Sequence, residues 1–460
     1  MKSREETLFV CKSCGNEFGK WSGQCGACGE WNSLKEAPIT KKQFPNKSQF
    51  PNSKLTNRKT ESINLGEVAE SNSVKDDKEM VFKTEIEEVD RVLGKGIVAG
   101  GVILLAGEPG IGKSTLVTQI VGKIGGVYVS AEESAQQVAM RVKRLGLPMG
   151  NFEVLETNNV EEVVGFADRT NKVFKLMVVD SVQMLFSEQG VGAPGSPGQI
   201  KQVALALIEM AKRKNVAVII LGHVTKEGEI AGPKLLEHMV DTVLYFEGDK
   251  NSDLRILRCQ KNRFGATDEV GIFKMLDVGL VDLRGEDINL TGDGGIKIGS
   301  ALTVVMEGTR PMMVEIQALV TESFAPQPKR VFSGIDYNRG QLLVAVAQKT
   351  LGMPLYKYDV FVAVTGGIRT EDTGADLAII GAMWSSYKNE PIKKSKIKDQ
   401  KLIQNLKISG LVLVGEVSLL GEVKKVRGWE RREREARALK KELLYVNSIR
   451  ELKGLVIGNQ

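Results

Sequence analysis

Residues Gly107 to Thr115 read GEPGIGKST, which satisfies the pattern G-x-x-x-x-G-K-[ST] at every fixed position. In such a stretch Gly107 and Gly112 leave the backbone free to wrap a phosphate chain, while N–H groups of the turn and the following helix supply positive potential. Lys113 is the residue that reaches the terminal phosphates, and Ser114 is placed to hold magnesium. Glu108, Pro109, Gly110, Ile111 and Thr115 complete the cradle. The flanks supply the context that the pattern requires. Val102, Ile103, Leu104 and Leu105 form a short apolar run that reads as a buried strand, and Leu116, Val117, Ile120 and Val121 repeat at helical spacing. A chance glycine-rich turn has no reason to combine Lys-Ser with both flanks, so the stretch predicts a nucleotide ligand with Mg2+.

Outward from this loop, from about Val81 to Met275, apolar runs alternate with helix-period segments, the pattern of a parallel sheet covered by helices on both faces. Val127 to Ser130 reads as a strand ending in Glu132 and Glu133, and Leu176 to Val179 as a strand ending in Asp180 and Ser181. Doubly wound folds put their chemistry at such strand ends. Asp180 is therefore the candidate for holding a magnesium-bound water, and Glu132 or Glu133 for polarising the attacking water. A helix cap is the competing role for an acid that closes a strand. Val216 to Gly222 reads as a further strand leading to His223, where a polar side chain is placed to sense the terminal phosphate, and Lys226 to Lys234 reads as a mobile polar loop. Val240 to Phe246 and Leu254 to Cys259 are two more expected strands. After them comes Lys261-Asn262-Arg263-Phe264-Gly265, whose cations are suited to neutralising charge on a transferred phosphoryl group, in cis or across a subunit boundary. A basic turn in water is the plainer reading of those five residues alone.

The chain has 460 residues, enough for two or three domains, with 42% hydrophobic and 26% charged residues and a formal net charge of +6. Nothing in it reads as a membrane span or a secretory signal, so a cytoplasmic protein is expected. The mild positive charge fits a nucleic-acid partner without requiring one. Four of the five cysteines form Cys11-x-x-Cys14 and Cys25-x-x-Cys28. Each C-x-x-C turn points two thiolates at one ion, and four thiolates close a tetrahedral Zn2+ shell; disulfides are disfavoured in a reducing compartment. Cys259 lies in an apolar strand and reads as a small core residue. From 35 to about 75 the composition shifts to Lys, Asn, Ser, Gln, Pro and Thr, and Gln-Phe-Pro-Asn repeats at Gln43 and Gln49, as in a flexible basic linker.

These residues together resemble the bacterial RadA (Sms) DNA repair proteins. The likeness rests on the paired Cys-x-x-Cys motifs, GEPGIGKST, VYVSAEES, LMVVDSVQ, GHVTKEGEIAGPKLLEHMVDTVLYFEGD and, most specifically, KNRFG, and it extends to a C-terminal domain similar to that of Lon protease. The resemblance implies an α/β fold with four parts: a four-cysteine zinc finger over 1–34, a linker over 35–78, a RecA-like P-loop ATPase over 79–285 and a Lon-protease-like domain over 286–460. It implies a homo-hexameric ring acting on single-stranded and branched DNA, with a RecA-type recombinase as a further partner. The activity implied is DNA-stimulated ATP hydrolysis with a helicase-like role in branch migration and heteroduplex extension. It assigns water activation to Glu132, and it makes Lys261 and Arg263 candidates for trans-acting contacts, with Asn262, Phe264 and Gly265 at the DNA or subunit boundary. A RecA-fold switch ATPase acting on protein partners is the alternative.

The last third reads as an α/β domain of its own, with strands expected at Val304 to Met306, Val314 to Val320, Phe361 to Val364 and Leu411 to Val417, and helices at Leu342 to Thr350, Ala375 to Tyr387 and Glu430 to Leu444. Lon-type proteases pair a serine nucleophile with a neutral lysine. Here EDTGADLAII offers only Gly374 or Ala375 in place of the serine, and GEVKKVRGWERREREA offers Glu430 or Arg432 in place of the lysine, so a non-proteolytic scaffold is expected. Lys424, Lys425, Arg427, Arg431, Arg432, Arg434 and Arg437 cluster around Trp429 as a candidate phosphate-binding face, with Glu430, Glu433 and Glu435 interleaved as possible partners on a solvated helix. Smaller basic groups occur at Lys329 with Arg330 and at Lys393, Lys394, Lys396 and Lys398.

Overall fold

The computed structural model describes residues 8–11, 17–18, 20–25, 30–37, 80–190, 192–223, 231–248, 253–283, 297–392 and 410–455. Cys14 and Cys28, almost all of the expected linker, residues 224–230, and the run from Lys393 to Lys398 lie outside the described residues. The chain divides into two compact units, one comprising 1–246 with 259–267 and the other 247–258 with 268–460.

At the N-terminus β1 (Leu8–Cys11) pairs antiparallel with β2 (Glu17–Phe18) and with β3 (Leu34–Ala37). Cys11 pairs with Leu34, and β3 continues to Ala37, so regular structure runs past the expected boundary at residue 34. Cys11, Cys25 and Leu34 form the small core of this ribbon.

The first unit is built on six parallel strands. β6 (Val102–Gly107), β7 (Gly126–Ser130), β8 (Phe152–Glu156), β9 (Leu176–Asp180), β10 (Ala217–His223) and β11 (Thr242–Glu247) stand in the order β11-β6-β10-β9-β7-β8. The short hairpin partners β4 (Val81–Phe82) and β5 (Ile97–Val98) precede them, flanking α1 (Glu87–Leu93). Strands β6 and β9 are buried along their whole length, as their unbroken apolar sequences require of central parallel strands. Helices α2 (Lys113–Ile124), α3 (Ala135–Arg144), α4 (Val160–Arg169) and α5 (Pro197–Lys214) provide the crossovers. Val203, Leu207 and Met210 from α5 and Val160 and Val163 from α4 join the sheet residues in one core. β8 and α4 were not among the expected elements. Helix α6 (Ala231–Met239) occupies the end of the stretch read as a loop and runs to the threshold of β11, so Val240 is not part of that strand.

Strand β12 (Leu254–Asn262) is three residues longer than expected and takes in Lys261 and Asn262; it is shared between the units. Its first part forms an antiparallel meander with β13 (Val270–Leu276) and β14 (Gly279–Asp282). The second unit has a six-stranded sheet in the order β17-β18-β16-β15-β19-β22. Its strands are β15 (Ser300–Glu307), β16 (Arg310–Glu322), β17 (Arg330–Ser333), β18 (Tyr358–Val364), β19 (Leu411–Leu413) and β22 (Glu442–Leu444). Helices α7 (Tyr337–Leu351) and α8 (Asp376–Lys388) pack into its core, α8 being buried on every face from Asp376 to Ser385. The expected strand from Leu411 to Val417 is broken, with β20 (Glu416–Val417) turning away to pair with β21 (Val423–Lys424). The expected helix from Glu430 to Leu444 is also shorter. Helix α9 is Trp429–Ala438, Lys440 takes a positive φ of 56°, and Glu442–Leu444 becomes an edge strand beside β19.

Candidate nucleotide site

The order of the strands determines which side chains meet. Strand β10 lies between β6, which ends in the glycine loop, and β9, which ends in Asp180. In this register Gly107 stands opposite both His223 of β10 and Phe246 of β11, and Asp180 stands opposite Ser130 of β7. The loop, His223, Asp180 and the two glutamates after β7 are thereby gathered at the carboxyl ends of the parallel strands. That is the crevice where open α/β sheets bind ligands.

Within the loop a Cβ on Gly107 would lie 2.4 Å from the carbonyl oxygen of Phe246, and Gly112 takes a φ of 115° as the residue that starts α2. Both positions exclude other residues for a physical reason. Lys113 is 3% exposed, and its Nζ donates to the carbonyls of Gly107 and Glu108 at 2.9 Å each and to His223 Nδ1 at 3.1 Å. Burial lowers its pKa to about 8 against the opposing fields of Asp180 and Glu132. Burial, then the charge of Lys113, likewise holds His223 below the ordinary histidine range, against Glu132 and Asp180. The ammonium therefore provides the donor and the neutral imidazole the acceptor, with His223 Nε2 turned to Glu132 at 3.7 Å.

The two glutamates occupy different surroundings. Glu132 accepts a short hydrogen bond from Ser181 Oγ and faces His223. Glu133 is paired with Arg141, and its carbonyl accepts from Ser130 Oγ at 2.6 Å. Glu132 thus faces Ser181 and His223, whereas Glu133 is tied to α3. Asp180 is 7% exposed and accepts from Tyr128 Oη at 2.6 Å. Tyr128 and Arg141 were not singled out from sequence, and Ser181 was named only as closing the strand. The usable signal was the capping box of α3, Ser134 with Gln137, which sets the helix phase that brings Arg141 back toward β7.

KNRFG is elsewhere. Asp241, just before β11, accepts from the backbone N–H of Val102 at 3.1 Å, and Arg263 pairs with Asp241 at 3.2 Å. Val102 begins β6 and Gly107 ends it, so the motif sits roughly 17 Å from its own glycine loop by strand rise. The cis contact considered from sequence is excluded on that ground. Lys261 Nζ donates to the carbonyls of Glu237 and Val240 at 2.8 Å, capping the end of α6, and Asn262 reaches the carbonyl of Leu93 at 3.4 Å. Phe264 and Arg263 remain exposed. Cys259 is buried, and burial pushes its thiol up to about 11, so it is an unreactive core residue.

In the second unit a cavity of about 1070 Å³ lies beside Gly374 and the start of α9. A Cβ on Gly374 would meet Arg432 Nη1 at 2.6 Å, so these two residues face each other. Arg432 is buried, pairs with Asp372 at 2.7 Å and donates to the carbonyl of Val304. A glycine has no nucleophile and an arginine held by a carboxylate accepts no proton, so this pair cannot perform serine-lysine proteolysis. Several expected phosphate-binding cations are also engaged internally. Arg432 is buried, Arg437 pairs with Glu433, Arg431 donates to the carbonyl of Thr309, and Lys425 lies over the rings of Trp429 and Tyr445.

Comparison with known proteins places the chain. Residues 82–172 match the ATPase model described as KaiC, and residues 9–36 match a zinc-ribbon model described as a rubredoxin metal binding domain. The chain is 40% identical over 443 residues to DNA repair protein RadA of Bacillus subtilis (strain 168), a match covering 95% of this chain and 91% of that one. The chain belongs to the bacterial RadA family. RadA of Pseudomonas aeruginosa is 40% identical over 94% of the chain and 91% of its own length, and that of Escherichia coli (strain K12) 38% identical over 95% and 91%. Among solved structures, a RadB recombinase is 21% identical with a TM-score of 0.36, covering 44% of this chain and 99% of its own. A KaiC-like protein from the archaeon Pyrococcus horikoshii is 21% identical with a TM-score of 0.36, again covering 44% and 99%. The RadA-family chain thus has a RecA-like ATPase core with a zinc ribbon before it and a second α/β domain after it. Its cofactors are ATP with Mg2+ in the core and Zn2+ in the ribbon, and the residues present fit them. The glycine loop leaves no room for side chains at Gly107, Asp180 is a buried carboxylate beside Ser181, and Cys11 and Cys25 are both buried in the ribbon core. No helix among the described residues is long and apolar enough to cross a membrane.

Proposed function

We propose that this chain is a DNA-stimulated ATPase that processes recombination intermediates in DNA repair, a helicase-like motor promoting branch migration and heteroduplex extension. The observation that carries the reading is identity of about 40% over 95% of the chain with relatives named DNA repair protein RadA, joined to hydrolytic residues gathered at one end of the sheet. Lys113 would turn from its carbonyl partners to the terminal phosphates, and Ser114 and Asp180 would hold the magnesium. When bound, Mg2+ neutralises charge developing on the phosphoryl oxygens. Glu132 orients the attacking water, and His223, standing between Lys113 and Glu132, reads the terminal phosphate. Arg263 and Lys261 act across the boundary between subunits of a homo-hexamer, because they stand at the far end of β6 from the nucleotide of their own chain. Cys11, Cys14, Cys25 and Cys28 hold the zinc. Single-stranded and branched DNA are the substrates and a RecA-type recombinase a further partner, which makes the location cytoplasmic. Lys424, Arg427 and Arg434 are the cations of the α9 region proposed to meet phosphate.

A switch ATPase acting on protein partners is the second reading, favoured by the match of residues 82–172 to the KaiC model. Turnover of the purified full chain with and without single-stranded DNA separates the two. The motor reading expects ATP hydrolysis to rise several-fold with DNA and to vanish in Lys113→Ala at any DNA concentration. Turnover indifferent to DNA, in a protein that retains no strand on a gel, would leave the switch reading in possession.

A further inference from the structure

Asp180 is one end of a chain of donors that the reaction as derived above does not use. Arg141 Nη1 donates to Tyr128 Oη at 3.1 Å, and Tyr128 Oη donates to Asp180 Oδ2 at 2.6 Å. The direction of this chain is fixed by chemistry. A guanidinium has only donors, so it must occupy a lone pair of the phenol oxygen, and the one phenol hydrogen is left for the carboxylate. Arg141 is fixed in turn, since its other terminal nitrogen is held by Glu133 at the head of the same helix.

The position of the ring follows from register. Tyr128 pairs with Val178 and Ser130 with Asp180, so Tyr128 and Asp180 sit diagonally on neighbouring strands, within reach of a long aromatic side chain. Tyr128 is fully buried, and a phenylalanine would fill the same space without a hydroxyl to satisfy. What the hydroxyl adds is control of the carboxylate. The terminal torsion of an aspartate is broad, so an unrestrained Asp180 would present either oxygen at many angles. With Oδ2 committed to Tyr128, Oδ1 is the oxygen that accepts no hydrogen bond from the described residues and is available to the magnesium shell.

We propose that Tyr128 and Arg141 are positioning residues for magnesium: Arg141 orients the phenol hydrogen, and the phenol fixes the rotation of Asp180. The inference rests on the assignment of Asp180 as the magnesium-holding carboxylate. Both residues reach the site only through Asp180 and Glu133, so their effect is on metal demand and not on nucleotide affinity as such.

The test uses the full chain and a fluorescent ATP analogue, titrated with Mg2+ and, in parallel, in EDTA. Tyr128→Phe is expected to raise the Mg2+ concentration giving half-maximal metal-dependent binding about tenfold, the scale on which partners of a metal ligand act. Affinity in EDTA should stay at the wild-type value, while the melting temperature falls because buried Asp180 and Arg141 each lose a partner. Arg141→Lys, which loses the fork between Tyr128 and Glu133, should raise Mg2+ demand in the wild-type background and add nothing when combined with Tyr128→Phe. A merely structural role would weaken binding in EDTA and in Mg2+ together. Unchanged Mg2+ demand in Tyr128→Phe overturns the inference while leaving the ATPase reading intact. Wild-type binding that ignores Mg2+ altogether overturns both.

Discussion

Lys113 concentrates the chemistry of the core in one ammonium. Burial takes its pKa to about 8, and phosphate oxygens placed beside it raise that value again, because they favour the charged form. The sign of the linkage follows. A group whose pKa is higher in the complex than in the free protein contributes affinity that is fully present below its free pKa and is lost as pH rises through the complexed one. Metal-free ATP affinity should therefore be flat below pH 8 and fall by about tenfold per pH unit above it. Titrating a fluorescent ATP analogue in EDTA from pH 7 to pH 9.5 reads this directly, with Lys113→Ala giving a weak and level profile. Equal wild-type affinity at pH 7 and pH 9.5 would show that Lys113 is not the group that recognises phosphate. At this scale much of the site was legible. The spacing of GEPGIGKST names its own residues, and carboxylates closing apolar runs pointed to Asp180 and the two glutamates. Tyr128 and Arg141 were not legible, because their meeting depends on the register of β7 against β9, which no short motif encodes; the capping box of Ser134 and Gln137 sets the phase of α3 but does not name the strand that Arg141 meets.

The placement of KNRFG shows what is lost when an element is read without its direction. The motif follows a strand, and strand ends carry chemistry in a parallel sheet, so a role near the nucleotide seemed available on either side of a subunit boundary. The chain reverses between β11 and β12, and the end of β12 returns to the beginning of β11, where Arg263 N–H donates to the carbonyl of Asp241 at 3.1 Å. One reversal moves the motif to the opposite end of the strands, where β6 begins. Within that motif the two cations have separate local duties. Lys261 closes the carbonyl end of α6, a favourable place for an ammonium, whereas Arg263 makes one half-exposed ion pair. Lys261→Ala should cost about 1 to 2 kcal/mol of stability through loss of charged hydrogen bonds, and Arg263→Ala less than about 0.5 kcal/mol. Urea unfolding of the two variants checks the difference, and equal losses would refute the capping role. In the second unit, likewise, the composition of the α9 stretch announced a charged helix but not its end. The chain leaves the helix after Ala438, and Glu442–Leu444 finds a free strand edge at β19, a tertiary choice that overrides a helical sequence pattern.

For the molecule as a whole, the separation between the glycine loop and KNRFG within one chain makes assembly a condition of activity under the proposed trans-acting role of Arg263. A subunit that binds ATP presents Arg263 at the far end of its own sheet, so the proposed cation must come from a neighbour. Such a contact is heterologous, with one surface meeting a different surface of the next copy, and closed rings are built from contacts of this kind. Two defective proteins should then repair each other. Lys113→Ala subunits lack a working loop but present an intact Arg263, while Arg263→Ala subunits bind ATP but offer no cation to the next copy. Mixed in equal amounts and allowed to exchange, about a quarter of the interfaces would pair an intact loop with an intact arginine, by random placement around a closed ring. DNA-stimulated turnover of the mixture should therefore exceed that of either variant alone, and should fall again on dilution as rings dissociate. If light scattering shows that mixed assemblies form and the mixture is still no more active than its components, Arg263 does not act in trans. Its pairing with Asp241 would then be its whole role.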